Sequence, residues 1–238
     1  MMRYVFACFV LFAFSCAGAK DRVPPEELEQ WMTYYYVQPQ LNKIGAALKA
    51  LTAKGFFEND DVQAPLSGFF TEVFRANPGR IEGWVKPYIG IPNRHILYSA
   101  LWMANSKQSR AAIEHMANSA SSEEATRLRS LLSSDPPTVT AMSIDSPASL
   151  DYLWGCFMAS GSEAPVLRII DQMKLSKTKG NVNAILIGGA AQWSVSANAR
   201  QHKKVLRIVK ERVKTADAET KMLLEEILED METEKAKK

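Results

Sequence analysis

The chain has 238 residues, 47% of them hydrophobic and 23% charged, which is ample material for a core and unlike the composition of a disordered polymer. A net charge of +3 is too small to argue for nucleic acid by itself. After residue 19 no stretch is apolar enough to span a bilayer.

Residues 1–19 are predicted to lie outside the fold. Arg3 supplies a positive start, Tyr4 to Phe14 is an apolar run without a charge, and Ala17-Gly18-Ala19 is a small-x-small cleavage site. Together they describe a secretory signal peptide, with a mature start at Lys20 and export to the periplasm or beyond. A membrane anchor fits less well because the apolar run is short. Cys16 after Ser15 loosely resembles a bacterial lipobox, in which the cysteine is lipidated. Ala13 stands where that motif has Leu, and bulky Phe14 follows, so an outer-membrane lipoprotein is the minor alternative. Removal of 1–19 leaves Cys156 as the one cysteine, and no internal disulfide can form. Its aromatic neighbours Trp154 and Phe157 mark it as a buried, inert thiol.

Pro24-Pro25-Glu26-Glu27 suits a helix start, where vacant N–H groups and the positive dipole end favour prolines and acids. That helix carries Leu28, Trp31, Met32, Tyr35 and Tyr36 and stops near Pro39. The run Tyr34-Tyr35-Tyr36 invites a sugar-stacking reading. Adjacent helical residues point about 100° apart, however, so core packing plus one exposed ring is the better account. A second helix follows from Leu41 to Leu51, ended by Gly55. Asn59-Asp60-Asp61 reads as a solvated acidic turn, because the Gly and Glu of a calcium loop are missing.

One layout then recurs. It runs from a proline through large apolar residues at helical spacing to a small residue and a capping one: Pro65 to Ala76-Asn77, Pro92 to Ala104-Asn105, Pro147 to Ala159-Ser160, and more weakly to Ala197-Asn198. The interval from Ala104 to Ala159 is close to twice that from Ala76 to Ala104. Each motif precedes a second amphipathic segment, at Arg80–Val85, Ser109–Met116, Pro165–Met173 and Arg200–Val213. Neither helix of such a pair buries its apolar face alone, so the pairs must stack. The predicted fold is all-α, with degenerate two-helix repeats forming an α-solenoid-like array or a right-angled bundle. The tetratricopeptide and ankyrin signatures are absent. Phe74, Trp102 and Phe157 are expected to be equivalent core positions, with Ala76, Ala104 and Ala159 buried where helices cross.

An additional helix is expected from Ser121 to Leu132. The prolines of Ser133-Ser134-Asp135-Pro136-Pro137 forbid helix beyond it. The expected organisation is therefore N-terminal helical repeats over 20–134, a proline-containing loop or hinge over 135–147, and C-terminal repeats over 148–238. Residues 176–183 form a basic turn. The helix expected from Ala184 to Ser196 contains Gly188-Gly189, which permits a close helix crossing. Arg200, Lys203, Lys204, Arg207, Lys210 and Lys214 then make a basic stripe, followed by a helix rich in Glu225, Glu226, Glu229, Asp230 and Glu232. A basic amphipathic helix suits anionic lipid. Here the acidic helix follows at once, and mutual neutralisation of the two is expected.

Signatures of chemistry are sparse. His95, His115 and His202 form no HExxH or His-x-x-x-His pair, and thiolate zinc clusters are impossible with one cysteine. Glycine-rich phosphate loops and a G-x-S-x-G elbow are missing. Ser176 to Lys179 matches S-x-x-K without its supporting motifs. Glu114-His115 are neighbours that point apart on a helix. Glu72 and Glu82 are carboxylates a groove could recruit for sugar hydrolysis. No catalytic, cofactor or metal residue is selected. The expected function is an exported scaffold that binds a protein or peptide in the bacterial envelope, without nucleic acid. The alternative is an envelope hydrolase acting on wall sugar or peptide. A deep pocket with two close carboxylates, or one acid with a shifted pKa, would favour the enzyme. A shallow apolar groove would favour the scaffold.

Overall fold

A computed structural model of the chain describes residues 25–53, 55–91 and 94–236. The expected signal segment, Cys16, Pro24 and Pro92 lie outside the described residues. Within them the chain forms twelve α-helices and no strand. Helix α1 spans Pro25–Thr33, α2 Ile44–Ala53, α3 Asp60–Ala76, α4 Ile81–Val85, α5 His95–Ala104, α6 Lys107–Asn118 and α7 Ser122–Leu132. After a loop come α8 at Pro147–Ser160, α9 at Glu163–Ile170, α10 at Val182–Gln201, α11 at Lys203–Val213 and α12 at Ala218–Ala236.

Local sequence explains most of the ends. Ser106 and Ser109 make a reciprocal capping box at α6, and Ser121 caps α7. Asn105 (φ 48°) closes α5 in the left-handed conformation that Asn tolerates. Pro147 occupies the first turn of α8. Three expected ends move. Helix α1 closes at Thr33, short of Pro39, and the tyrosine run lies in the turn that follows. Helix α3 starts at Asp60, with the Asn59 side chain accepting from the Asp61 N–H at 3.0 Å, and Pro65 sits inside it. The acidic stretch is thus an N-terminal cap rather than a free turn. Helix α10 runs through Asn198 because that side chain donates back to the Ser194 carbonyl at 2.9 Å instead of capping a terminus.

The core is organised on the crossing of α3 and α8. A Cβ on Gly68 of α3 would stand 2.0 Å from the Tyr152 carbonyl oxygen, and one on Gly155 of α8 would stand 2.0 Å from that of Pro65. Each helix therefore needs a glycine where the other's backbone passes, a requirement that apolar periodicity does not announce. Phe69, Phe70, Phe74, Leu153, Trp154 and Phe157 fill the space around the crossing. Helix α5 packs on α3 and α6 on α5, with α7 outside α6 and α4 against α6. On the other flank α8 packs with α9 and α10, α11 lies against α9 and α10, and α12 covers α11.

The helices form two packed groups, α3 to α7 and α8 to α12, joined at the α3–α8 crossing, and a continuous array of two-helix repeats is not established. Helix α8 crosses α3 and skips the intervening α5 pair. The expected equivalence of core positions holds only in part. Phe74 and Phe157 are fully buried, whereas Trp102 is half-buried. Ala104 and Ala159 are buried, but Ala76 is exposed, because α3 meets α8 a full two turns earlier, at Gly68. Ala197 lies within α10 rather than at a helix end.

The terminal charges pair differently from expectation. Arg207 and Arg212 of α11 reach Glu163 and Asp171, the acids at the two ends of α9, at 2.8 and 2.7 Å. Arg200 of α10 holds Glu234 of α12 through both carboxylate oxygens at 3.0 Å. The α9 acids reach the stripe because α11 packs on α9 as well as on α12. In the tyrosine run Tyr35 is buried, Tyr34 is exposed, and the Tyr36 hydroxyl shares a 3.2 Å hydrogen bond with His202 Nδ1.

Candidate functional site

The skipped contact leaves a gap. Helix α5 and the start of α8 splay apart on either side of α3, and residues 133–146 cross between them. The loop is held by polar contacts as well as by three inward apolar side chains. Arg168 of α9 donates to the carbonyls of Val139 and Met142, both at 2.7 Å. The Trp102 indole N–H donates to the Ser134 carbonyl at 3.3 Å, Arg110 donates to that of Leu132, and Asn183 to that of Asp145 at 2.8 Å. Val139, Met142 and Ile144 turn inward onto the core.

Beneath the loop lies an open cleft of about 580 Å³. Helix α3 contributes Gln63, Ala64 and Ser67 to its walls, and α5 contributes His95, Ser99, Trp102 and Met103. The loop adds Pro137, Met142, Ser143 and Ser146, and α8 adds Ala148, Ser149 and Tyr152. These walls hold apolar surface, five hydroxyls from serine, an amide and an imidazole, and no carboxylate, lysine or arginine. A smaller recess of about 380 Å³ opens on the other side of the loop, between Arg75, Asn105 and Pro136 to Thr140. Met103 and Pro137 border both hollows.

Under the floor sits a tier of polar groups, buried at Thr71 and Tyr152 and reaching the surface at Arg75. The Tyr152 hydroxyl donates to Thr71 Oγ1 at 3.1 Å, and Thr71 donates to the Ser67 carbonyl at 2.7 Å. Arg75 forms an ion pair with Glu72 and donates to the Met103 carbonyl at 2.7 Å. Burial raises the Glu72 carboxyl above its ordinary range, against the opposing pull of Arg75. Burial likewise pushes up the Tyr152 hydroxyl and the Cys156 thiol, which keeps both protonated and unreactive. Asp151, one residue from the floor tyrosine, is pushed up to about 7 by burial, yet it is not part of the cleft lining.

Of the carboxylates considered from sequence, Glu72 comes to the edge of this region and is committed to Arg75. Glu82 lies exposed on α4, away from it. Glu114 pairs with Arg129 at 3.7 Å on the outer surface, beside exposed His115. Ser176 lies in a 3-10 turn over Met173–Lys177, and Lys179 is exposed in the turn that follows. The three histidines are dispersed: His95 in the cleft wall, His115 at the surface, His202 buried. Among the described residues no group of three His, Cys, Asp or Glu side chains converges to hold a metal, and no helix is long and apolar enough to cross a membrane. The cleft itself was missed from sequence. Its one local sign was the serine-rich stretch Ser143 to Ser149 leading into an otherwise apolar helix. No protein-family model, curated protein or solved structure matches the chain.

Proposed function

We propose that the protein is an exported binding protein whose cleft takes an extended, uncharged, apolar-rich segment of a peptide or protein partner. The observation that carries this reading is the lining: rings, thioethers and proline interleaved with hydroxyls, without a charged side chain. Apolar walls supply affinity, and a few neutral donors and acceptors fix orientation. Acid–base chemistry needs a group within hydrogen-bond reach of the reacting atom, and of the two raised carboxyls Glu72 is engaged by Arg75 while Asp151 is not part of the cleft lining. Export rests on the Arg3-to-Ala19 pattern alone. Its test is the mass of the envelope form, expected to begin at Lys20; a lipidated Cys16 would establish the lipoprotein route instead.

The binding test is a calorimetric titration of hexapeptides matched in length and varied in charge, repeated on a Ser99→Trp variant that fills the cleft. Uncharged peptides with aromatic or aliphatic side chains should bind, acidic and basic ones should not, and the variant should lose binding while keeping its circular dichroism. Equal binding by charged peptides, or unchanged binding by Ser99→Trp, overturns the reading. A hydrolase is the second reading, favoured by two raised carboxyls, Glu72 beside the Arg75 that borders the smaller recess and Asp151 next to the floor tyrosine. Peptide or glycan cleavage that disappears in Glu72→Gln would establish it.

A further inference from the structure

His202 is the one residue between α10, which ends at Gln201, and α11, which begins at Lys203. Its backbone is extended there (φ −117°, ψ 111°) and held by both helices. Its N–H donates to the Asn198 carbonyl at 2.8 Å, and its carbonyl accepts from the Leu206 N–H at 3.1 Å. The side chain is 1% exposed. Three aromatic rings enclose it, those of Tyr34, Tyr36 and Phe157, with centroids 5.0, 5.8 and 5.9 Å from its own. Two of them belong to the turn 34–38 that follows α1, and the third belongs to α8.

The enclosure satisfies the imidazole only in part. The Tyr36 hydroxyl shares a hydrogen bond with Nδ1, whereas Nε2 is buried without a partner. Either neutral tautomer leaves Nε2 unmet, as an unpaired N–H or as an unpaired lone pair. A second ring proton makes both nitrogens donors and leaves a buried cation facing no acceptor. The groups packed around it do not offset this. Tyr34 and Tyr36 are phenols, and Phe157 is apolar. At the corner between α8 and α9 the nearest charge is the Lys204 ammonium, 3.3 Å from the place a Cβ on Gly161 would take, which is a cation and not an acceptor. Arg200 and Lys203, exposed on either side in sequence, are cations as well. The neighbouring carboxylates are engaged, Glu163 by Arg207 and Glu234 by Arg200.

The cover over the ring leaves more readily than the floor beneath it. Phe157 belongs to the α3–α8 crossing. Helix α1 has nine residues and packs on α8 through one face, where Leu28, Met32 and Tyr35 are buried. Trp31 and Tyr35 reach Phe69 of α3. Beyond the helix, the Tyr36 N–H ties the turn to the Met158 carbonyl at 2.9 Å. The outer side of the turn is open, with Val37 65% exposed. Elements with few buried contacts open first.

We propose that His202 is an acid-operated clasp: a second proton on its ring lifts α1 and the turn 34–38 off α8 and the α10–α11 corner, while the α3–α8 crossing stays closed. Opening gives Nε2 to water and uncovers Phe69 and Phe157, an apolar surface that neutral pH keeps hidden. A single protonated histidine can bias a two-state element in this way. The open form binds the proton with the ordinary pKa of 6.5, and burial holds the closed form at about 4. The closed form is therefore favoured above 6.5, and opening becomes about tenfold more frequent for each pH unit below it, until the lower value is reached.

Hydrogen exchange of the purified protein, read by mass spectrometry and corrected for the pH dependence of unfolded amides, tests this. Between the imidazole's ordinary 6.5 and two pH units lower, amides of 28–38 should come to open about a hundredfold more often. Those of 66–74 and 150–158 should keep their protection. His202→Gln is neutral throughout and should hold 28–38 closed at both pH values. Tyr36→Phe keeps the ring and removes the hydroxyl, so its clasp should open at a higher pH than the parent's. That variant decides the matter if circular dichroism shows His202→Gln unfolded at neutral pH. Protection of 28–38 that does not change with pH in the parent overturns the proposal. So do loss of 66–74 and 150–158 together with 28–38, an acid response that survives in His202→Gln, or a Tyr36→Phe variant that opens at the parent's pH.

Discussion

Two places where helices come side by side in this molecule have opposite characters. At the α3–α8 crossing the backbones approach so closely that only hydrogen fits, at Gly68 and at Gly155. Between α5 and α8, a short distance away on the same α3, the helices touch only through Met103 on Tyr152 and Cys156, and a proline-containing loop spans the gap over a cleft of about 580 Å³. The helices thus pack closely at the crossing and loosely beside it, and the loose side holds the cavity. A rigid crossing beside a gap bridged by hydrogen bonds holds a binding surface in shape without filling it.

The largest effect should come from breaking the crossing. Gly155→Ala drives a methyl into the Pro65 carbonyl, and backbone cannot swing aside as a long side chain can. The expected loss is about 3 kcal/mol or more, and Gly155→Leu should abolish cooperative thermal unfolding. Gly189→Ala, a glycine in a helix with open space above it, should instead gain up to about 1 kcal/mol from helix propensity alone. Equal effects at the two glycines would contradict the close crossing.

The aromatic positions once expected to be equivalent sharpen the contrast. Phe157→Ala and Phe74→Ala, both fully buried, should each cost about 3–5 kcal/mol in chemical denaturation. Trp102 is half-buried at the cleft wall and tied to the loop through Ser134. Trp102→Ala should cost roughly half as much and should act mainly on ligand binding. A loss as large as that of Phe157→Ala would place Trp102 in the core after all.

A third effect depends on pH and tests the clasp between the α1 exit and the α10–α11 junction. His202 is buried among Tyr34, Tyr36 and Phe157, and burial lowers its pKa from the ordinary 6.5 to about 4. The unfolded chain therefore binds a proton between these values that the folded chain refuses. This contribution is fully present above pH 6.5 and is lost as pH falls toward 4, for a total of roughly 3 kcal/mol. His202→Gln should flatten the acid side of the stability profile. A parent profile as flat as that of the variant would contradict the buried neutral imidazole.

How much of this was legible follows from which forces leave a mark in sequence. Apolar positions at a period of 3.6 reveal helices, so the all-α class and nearly every helix were readable. Capping residues revealed several ends, including Ser121, Asn105 and Pro147. The same logic failed at Pro65, because a proline within the first turns of a helix resembles one that opens it, and at Asn198, whose side chain serves its own helix. Gly188 was readable as a close approach, but Gly68 and Gly155 were not, since nothing local tells a glycine under a crossing backbone from one in open space such as Gly189. The cleft was illegible for a related reason. It depends on which helix α8 meets, and that partner is chosen by packing across more than eighty residues of chain, as the Tyr152–Thr71 hydrogen bond shows.

The smallest expected effect on stability is the most informative about the gap. Arg168 places its two terminal nitrogens on the carbonyls of Val139 and Met142, so one side chain from α9 pins both sides of the turn that roofs the cleft. Charge-assisted bonds of this kind contribute more than neutral ones, yet the carbonyls are near the surface and water replaces part of what is lost. Arg168→Ala should therefore lower global stability by only about 1–2 kcal/mol. Local opening is another matter, because only Val139, Met142 and Ile144, each partly buried, hold residues 133–146 to the core once these bonds are gone. Limited proteolysis should cut the variant within 136–143 at least tenfold faster than the parent, with the α3–α8 crossing still protected in hydrogen exchange. Arg168→Lys, which reaches one carbonyl but not both, should fall between the two. If Arg168→Ala instead unfolds the whole molecule, the loop is part of the core and not a roof over a gap. If cleavage does not change, the inward-turned Val139 and Met142 hold the loop by burial, and the arginine is incidental.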